Sequence, residues 1–427
     1  MAVSVSRIGI RRGRFALLFS VMLVAAAGNT AMQSLLPAIG RELGVADIWV
    51  AVAFSLSAVL WVVMAPVWAR RADRRGRRAL MRLGLYGFTL SMLICGGALA
   101  AGLAGLLGAF ATFTIFMLGR GLYGGFGSAS PPAVQAYIAA RTDGEQRTNA
   151  LAILASSFGL GTIIGPAIAP LFIFPPLGLS APLIVFAGIG ALVLALVVLR
   201  LPDDTPPNPA RGALVSYPSL GGGEAPVQAG ADLPSSLRWR DARVLPWHIM
   251  GIVGGHGQAV LLSVIGFLVI DRLALPLDQA QQWIALVLIT GAIAALLAQW
   301  GLIPRLGLDA RQLVIWGSLA AAVGVAVVGV SAGVYGITLG YALASLGFGL
   351  FRPGFTAGAS LAVGLDEQNA VAGQITSVNG IAYVAAPALG VALYMLAWSL
   401  PFLLTAALML ALAGWTNWRV SPSTPAA

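Results

Sequence analysis

The chain contains no lysine, a single cysteine (Cys95), two histidines and only 15 acidic residues among 427. Each shortage excludes something. Without lysine there is no Gly-x-x-x-x-Gly-Lys loop, so an ATP-driven pump is disfavoured. One cysteine forbids an internal disulfide and a cysteine metal cluster. Neither histidine sits in a metal-ligand spacing, and no cofactor or metal is expected. Charged residues make up only 9% of the chain, whereas soluble domains carry about a quarter.

What the chain has in abundance is apolar surface: 59% of its residues are hydrophobic and the mean hydropathy is +0.89. A core alone cannot absorb that much, so a lipid bilayer is implied. Every one of the 25 basic residues is arginine, and the net charge is +10. In a soluble protein that balance would suggest nucleic acid. Here the arginines fall mostly between apolar runs, so they report membrane topology and no nucleic-acid partner is expected. The runs read as spans at 15–38, 48–68, 79–101, 106–138, 150–173 and 181–199, then 244–270, 283–303, 313–330, 334–363, 370–393 and 400–418. Residues 201–243, with their prolines and Gly221-Gly222-Gly223, read as a linker. The expected fold class is an all-α membrane protein: twelve transmembrane helices in two pseudo-symmetric six-helix bundles, residues 1–200 and 244–427.

Arg7, Arg11, Arg12 and Arg14 precede the first run as in a signal peptide, but that run is long and opens a regular series of spans. With the N-terminus inside, 21 of the 25 arginines are cytoplasmic, Arg41 and Arg272 are outside, and Arg120 and Arg352 lie within spans. The reverse orientation would put the cluster at 70–82 outside, against the positive-inside rule. Both termini and the linker are therefore expected in the cytoplasm, and the protein in a bacterial inner membrane as a monomer.

One pattern is written twice. Gly125-Phe126-Gly127, Pro131 and Glu145-Gln146 recur 222 residues later as Gly347-Phe348-Gly349, Pro353 and Glu367-Gln368. Gly165-Pro166 is echoed by Pro387, one residue out of register. Each copy places a polar pair in a short turn between two apolar helices, the mark of two related halves.

Three local motifs follow in order. Between the second and third spans runs Ala69-Arg70-Arg71-Ala72-Asp73-Arg74-Arg75-Gly76-Arg77-Arg78, of which topology alone accounts for Arg70, Arg71 and Arg75 but not for Asp73 and Gly76. An aspartate there can pair with arginines or face a helix N-terminus, and glycine permits a tight turn. In the fourth span runs Arg120-Gly121-Leu122-Tyr123-Gly124, with an arginine whose burial in lipid costs at least about 2.5–3.5 kcal/mol unless it faces the protein interior. In the fifth, Gly161-Thr162-Ile163-Ile164-Gly165-Pro166 combines small residues four apart, which allow close helix approach, with a proline that removes a backbone bond. Together these resemble the signature loop and the second and antiporter motifs of the major facilitator superfamily, and most closely its tetracycline-exporter-like drug:proton antiporters. The resemblance covers nearly the whole chain outside the linker. It departs from the family at Ala69, where glycine is usual, and at Ala169-Pro170, where paired glycines are usual. It implies that Asp73, Arg74, Gly76, Arg77 and Arg78 form a cytoplasmic gate latching the two halves, and that Gly161, Gly165 and Pro166 mark a helix bend. A weak echo of the loop appears at Gly307, Arg311 and Leu313.

Polar residues within spans are candidates for a shared cavity: Asn29, Gln33, Arg120, Tyr123, Gln258, Gln299, Arg352, Gln374, Asn379 and Tyr383. Each taken singly also fits an interhelical hydrogen bond. Proton exchange needs a titratable group, and relatives of this type often carry a carboxylate in the first helix, where this chain has Asn29. No acid lies deep in any span; Asp271 is at an outer helix end. His256, in Gly254-Gly255-His256-Gly257, is the remaining candidate, on a helix its glycines are expected to break or soften. His256 and Arg120 are the expected proton-coupling pair.

These readings point to a secondary active transporter exporting a small amphipathic compound in exchange for protons, by alternating access. Two buried arginines without a buried carboxylate leave open an anionic, carboxylate-bearing or siderophore-like metabolite, exported or imported. A membrane-embedded enzyme is disfavoured, since no buried carboxylate pair or metal-ligand spacing is present.

Overall fold

The computed structural model describes residues 10–139, 141, 144–202, 237–364 and 367–420. Among the described residues there is no strand, only one antiparallel bridge between Phe174 and Gly178. The helices are α1 (Arg12–Glu42), α2 (Asp47–Arg75), α3 (Arg77–Leu103), α4 (Ala109–Phe126), α5 (Ser130–Ala139), α6 (Gly144–Ile168), α7 (Ala181–Arg200), α8 (Leu245–Leu273), α9 (Leu277–Leu296), α10 (Ile303–Leu306), α11 (Ala310–Val330), α12 (Val334–Leu361), α13 (Gln368–Leu396) and α14 (Leu400–Arg419). Among the described residues, ten helical segments are long and apolar enough to cross a membrane. The two expected spans missing from that set are α4–α5, where Arg120 and a break interrupt the apolar run, and α6, which contributes a shorter apolar stretch, Leu160–Phe172. Starts follow familiar chemistry: α7, α8 and α14 each carry proline in the first turn, where its missing N–H costs nothing.

Several expected boundaries are corrected. The fourth span is not one helix but α4, a 3-10 turn at Gly127–Ala129, and α5. Pro131 and Pro132 would delete two donors inside a continuous helix, whereas at the first turn of a new one they are tolerated. The second copy carries a single Pro353, and there α12 runs unbroken for 28 residues. Glu145 and Gln146 lie on α6 rather than in a turn, and Gln368 opens α13 with Glu367 as its N-cap. The eighth span extends past 303 through a π-helical turn, Leu297–Leu302, into α10. The helix around His256 is not broken: α8 is continuous from Leu245 to Leu273. Its glycines serve packing instead, since a Cβ on Gly251 would lie 2.6 Å from Val378 and 2.7 Å from Phe355.

The chain divides into two compact units. The first comprises Met1–Leu35, Ile39–Val45 and Leu56–Asp232; the second comprises Leu36–Ala38, Ala46–Ser55 and Leu233–Ala427. In the first, α3 is the hub, packed on α4, α5 and α7. A Cβ on Gly87 would meet the Gly127 nitrogen at 2.9 Å, and one on Gly96 the Ile184 side chain at 2.9 Å. In the second, α11 and α12 are the most intimate pair. Gly317 and Gly324 on α11 face Gly347 and Gly340 on α12, the two glycines of each helix seven residues apart. Backbone therefore meets backbone: a Cβ on Gly317 would lie 2.8 Å from the Gly347 carbonyl oxygen. In lipid, where apolar contact between helices gains nothing from expelling water, small residues that admit close backbone approach supply the packing energy.

Candidate functional site

The predicted residues fall into two groups, one per unit. In the first unit, Asn29 and Gln33 lie one turn apart on α1; Asn29 is buried and Gln33 half-buried. Among the described residues, neither Asn29 Oδ1 nor Gln33 Oε1 has a hydrogen-bond partner. Arg120 and Tyr123 lie on α4, both buried, with the Arg120 guanidinium carbon 5.2 Å from the Tyr123 ring centroid. An arginine over a tyrosine face is a favourable arrangement away from water. Tyr123 is held between Trp61 of α2 (ring centroids 5.3 Å) and Phe88 of α3 (5.9 Å). Sequence reasoning missed Trp61, because a lone tryptophan in an apolar run carries no signal beyond burial. Further along α2, Trp68 donates from Nε1 to the Gly125 carbonyl at 2.6 Å and pins α2 to α4.

In the second unit, Arg352 is buried on α12, and His256 and Gln258 are half-buried on α8. Asn379 and Tyr383 are half-buried one turn apart on α13. His256 Nδ1 lies 2.7 Å from the Ile252 carbonyl. A carbonyl only accepts, so the proton of the neutral ring sits on Nδ1 and the Nε2 lone pair is left available. Gln374 acts elsewhere. Its Nε2 donates to the Leu237 carbonyl at 2.9 Å, tying down the chain that leads into α8. His248, which sequence reasoning also missed, is buried near the start of α8 against Trp239, ring centroids 5.4 Å apart.

The motif between α2 and α3 is partly visible. The side chains of Asp73 and Arg74 lie outside the described residues. Gly76 has φ 83° and ψ 141°, a conformation that side chains strongly disfavour, and it ends α2 and starts α3 in one residue. Arg77 is fully buried, and Arg78 donates from Nη2 to the Val198 carbonyl in the last turn of α7. The echo in the second unit acts in the same way. Gly307 has φ 58°, Asp309 and Gln312 form a capping box, and Arg311 donates from Nε to the Val420 carbonyl at 2.7 Å and from Nη2 to the Asn417 carbonyl at 3.1 Å. In both units, then, an arginine in the first turn of one helix satisfies carbonyls left open at the C-terminus of another, α7 or α14.

In the antiporter-like motif, Gly161 and Gly165 press α6 on α1. A Cβ on Gly161 would lie 2.6 Å from the Leu23 carbonyl oxygen, and one on Gly165 would collide with the Ala27 carbonyl and Thr30. Thr30 Oγ1 donates to Ala26 at 2.9 Å and lies 3.4 Å from the Gly161 carbonyl. Pro166 is inside α6, which passes into a 3-10 turn, Ala169–Phe172, after Ile168.

Outside the spans, Arg243 forms a two-sided clamp. Its Nη2 and Nε reach Asp241 at 2.9 and 3.1 Å, and its Nη1 and Nη2 reach Glu367 at 2.8 and 2.9 Å. These bonds hold the Asp241 carboxyl down at about 2 and lower that of Glu367 as well. One hydrolase-like pattern, Gly329-Val330-Ser331-Ala332-Gly333, straddles the end of α11 and the turn that leads to α12. The elbow chemistry requires a strand entering the turn; here Ser331 Oγ donates to the Val327 carbonyl at 2.6 Å as part of a helix end.

The sequence matches the family model of the Major Facilitator Superfamily over residues 17–387. The chain belongs to that superfamily. Its members are membrane transporters and not enzymes, and the helical architecture is theirs. Among curated relatives, the chain is 28% identical over 222 residues to the Staphyloferrin B transporter of Staphylococcus aureus, 49% of this chain and 50% of the relative. It is 25% identical over 350 residues to the class C tetracycline resistance protein of Escherichia coli, 80% of this chain and 79% of the relative. To the multidrug resistance efflux pump PmrA homolog of Lactococcus lactis it is 29% identical over 178 residues, 42% of this chain and 40% of the relative. The matched region thus spans about half the length, or less, of the first and third of these. The fold is similar to that of the human organic anion transporter MFSD10, with a TM-score of 0.64 and 18% identity over 96% of this chain and 100% of the other. A bacterial homolog of the lysosomal transporter Spinster, in an inward-facing and occupied conformation, gives a TM-score of 0.72 with 12% identity over 95% and 96%.

Proposed function

We propose that this protein is a secondary active transporter that exports a small amphipathic compound in exchange for protons. Residues 1–200 and 244–427 would be the two halves, rocking about a midplane site, with residues 201–243 as the linker and the termini in the cytoplasm of a bacterial inner membrane. Asn29, Gln33, Arg120, Tyr123, Gln258, Arg352, Asn379 and Tyr383 would line the substrate path, and the loop from Asp73 to Arg78 would gate it on the cytoplasmic side. The observation that carries the coupling assignment is His256: it lies within α8 with Nδ1 committed to the Ile252 carbonyl, so its free Nε2 is the position that gains and loses the proton. Arg120, buried on α4, would be the second residue of the coupling assignment. Relatives named for tetracycline and multidrug resistance favour efflux of foreign compounds. In proteoliposomes with an imposed pH gradient, His256→Gln should abolish gradient-driven accumulation while leaving substrate exchange without a gradient intact. Retained gradient-driven transport would end the assignment. A second reading, transport of an anionic metabolite, is favoured by the buried Arg120 and Arg352 on helices α4 and α12 that carry no acid. A relative named for Staphyloferrin B is consistent with it.

A further inference from the structure

The seam between α2, α3 and α4 in the first unit holds polar groups whose chemistry points one way. Trp61 and Tyr123 are 4% and 2% exposed, and among the described residues neither the Trp61 Nε1 nor the Tyr123 hydroxyl has a hydrogen-bond partner. A buried donor left unmade costs roughly 1–3 kcal/mol, and two of them stand in adjacent rings with centroids 5.3 Å apart. The Arg120 guanidinium carbon lies 5.2 Å from the second ring. An indole N–H and a guanidinium can only donate, and a phenol can donate. Neither α3 nor α4 carries an acidic residue, and the acids of α2, Asp47 and Asp73, lie at its two ends, so the middle of the seam is rich in donors and positive. A cation would be repelled there; a negatively charged acceptor would be held by charge-assisted hydrogen bonds. The walls are aromatic, with Phe88 completing the group at 5.9 Å from Tyr123 in an edge-on arrangement. Such faces favour a flat ring, which they meet edge-to-face or offset. A Cβ on Gly124 would meet the Leu60 side chain at 3.0 Å and one on Gly121 at 3.4 Å, so α4 presents bare backbone to α2. The helix then ends in the 3-10 turn at Gly127–Ala129.

We propose that this seam is the recognition site for an aromatic acid, with the ring against Trp61, Phe88 and Tyr123 and the anionic group on the Trp61 N–H, the Tyr123 hydroxyl and Arg120. The inference rests on the transporter reading above and narrows its substrate class. Trp61 and Phe88 are added to the site, and Trp61 is given a role as donor and not merely as wall.

The test is equilibrium binding of radiolabelled salicylate and of its neutral counterpart salicylamide to the full-length protein in nanodiscs. Trp61→Phe and Tyr123→Phe each keep a ring and delete one donor, and thermal unfolding verifies that both variants fold. Wild type should prefer the acid over the amide by about tenfold or more, since a hydrogen bond to a charged group outweighs a neutral one. Each variant should cut that preference several-fold while leaving salicylamide binding nearly unchanged, a split that mere structural damage would not produce. Equal affinity of wild type for acid and amide would overturn the proposal, as would an unchanged preference in both variants. Efflux of a dye under a pH gradient by the same preparation separates the two levels. Efflux without acid preference sinks only the substrate class, whereas acid preference with no gradient-driven movement of either compound sinks the transport reading.

Discussion

Gly161 offers a perturbation whose size is legible in the packing. Alanine there would place its methyl carbon 2.6 Å from the Leu23 carbonyl oxygen, 2.7 Å from the Ala26 Cβ and 3.0 Å from the Ala27 nitrogen. Carbon contacts are optimal near 3.5–4.0 Å, so α6 must retreat from α1 by up to about 1 Å. Two of the three obstacles are backbone atoms and cannot rotate aside. Retreat also carries the Gly161 carbonyl away from Thr30 Oγ1, now at 3.4 Å. Overpacking of this kind costs typically about 1–3 kcal/mol. For a unit of this size each kcal/mol lowers the unfolding temperature by roughly 2–4 °C, so the drop should fall between about 2 and 12 °C. Gly188→Ala on the exposed side of α7 is the control: nothing lies within 4 Å of its Cβ, and alanine is the better helix former by about 1 kcal/mol. Thermal unfolding of the purified protein in detergent compares the two. If Gly161→Ala and Gly188→Ala unfold at the same temperature, the close contact between α6 and α1 is not what the two motif glycines are for.

Three further outcomes follow from the geometry. Gly76→Ala places a side chain at φ 83° and ψ 141°, which should cost about 1–3 kcal/mol and appear as a lowered unfolding temperature. Arg311→Ala removes the donors to Val420 and Asn417, and Arg78→Ala the donor to Val198. Hydrogen exchange should then accelerate in the last turn of α14 and of α7 respectively, each without effect on the other. The clamp of Arg243 should be insensitive to physiological pH. Asp241 and Glu367 titrate lower in the fold than in the unfolded chain, so their contribution is complete above the ordinary carboxylate range of about 4. It fades only as pH falls toward about 2, where Asp241 is protonated. Limited proteolysis between Leu237 and Arg243 should therefore run at one rate at pH 5 and pH 8, and faster at both in Arg243→Gln. A rate in the parent protein that rises at pH 5 would refute the clamp.

Much of this architecture could be read from residue order because lipid enforces simple rules. A run of apolar residues long enough to cross must be helical, since no water satisfies its backbone. Glycines four apart in Gly161 and Gly165 signalled close approach, and α1 is there to meet them. Gly76 and its echo Gly307 signalled tight turns, and both have positive φ. What escaped was decided by neighbours distant in sequence. The break at Gly127–Ala129 reflects two consecutive prolines, whose preference for a first turn outweighs an apolar run. The glycines beside His256 suggested a soft helix, but Phe351, Ala382 and Thr405 pack where the side chains missing from Gly254, Gly255 and Gly257 would be. Trp61 gained meaning only when α4 brought Tyr123 beside it, and the part played by Gln374 only when Leu237 reached it.

The most direct test of alternating, proton-driven transport uses the purified chain in proteoliposomes under an imposed pH gradient, measured over a panel of amphipathic compounds and aromatic acids. Movement of at least one compound against its own gradient, collapsing when the pH gradient is dissipated and impaired in Asp73→Asn, is the predicted result. Movement that only ever runs downhill and ignores the proton gradient would contradict it.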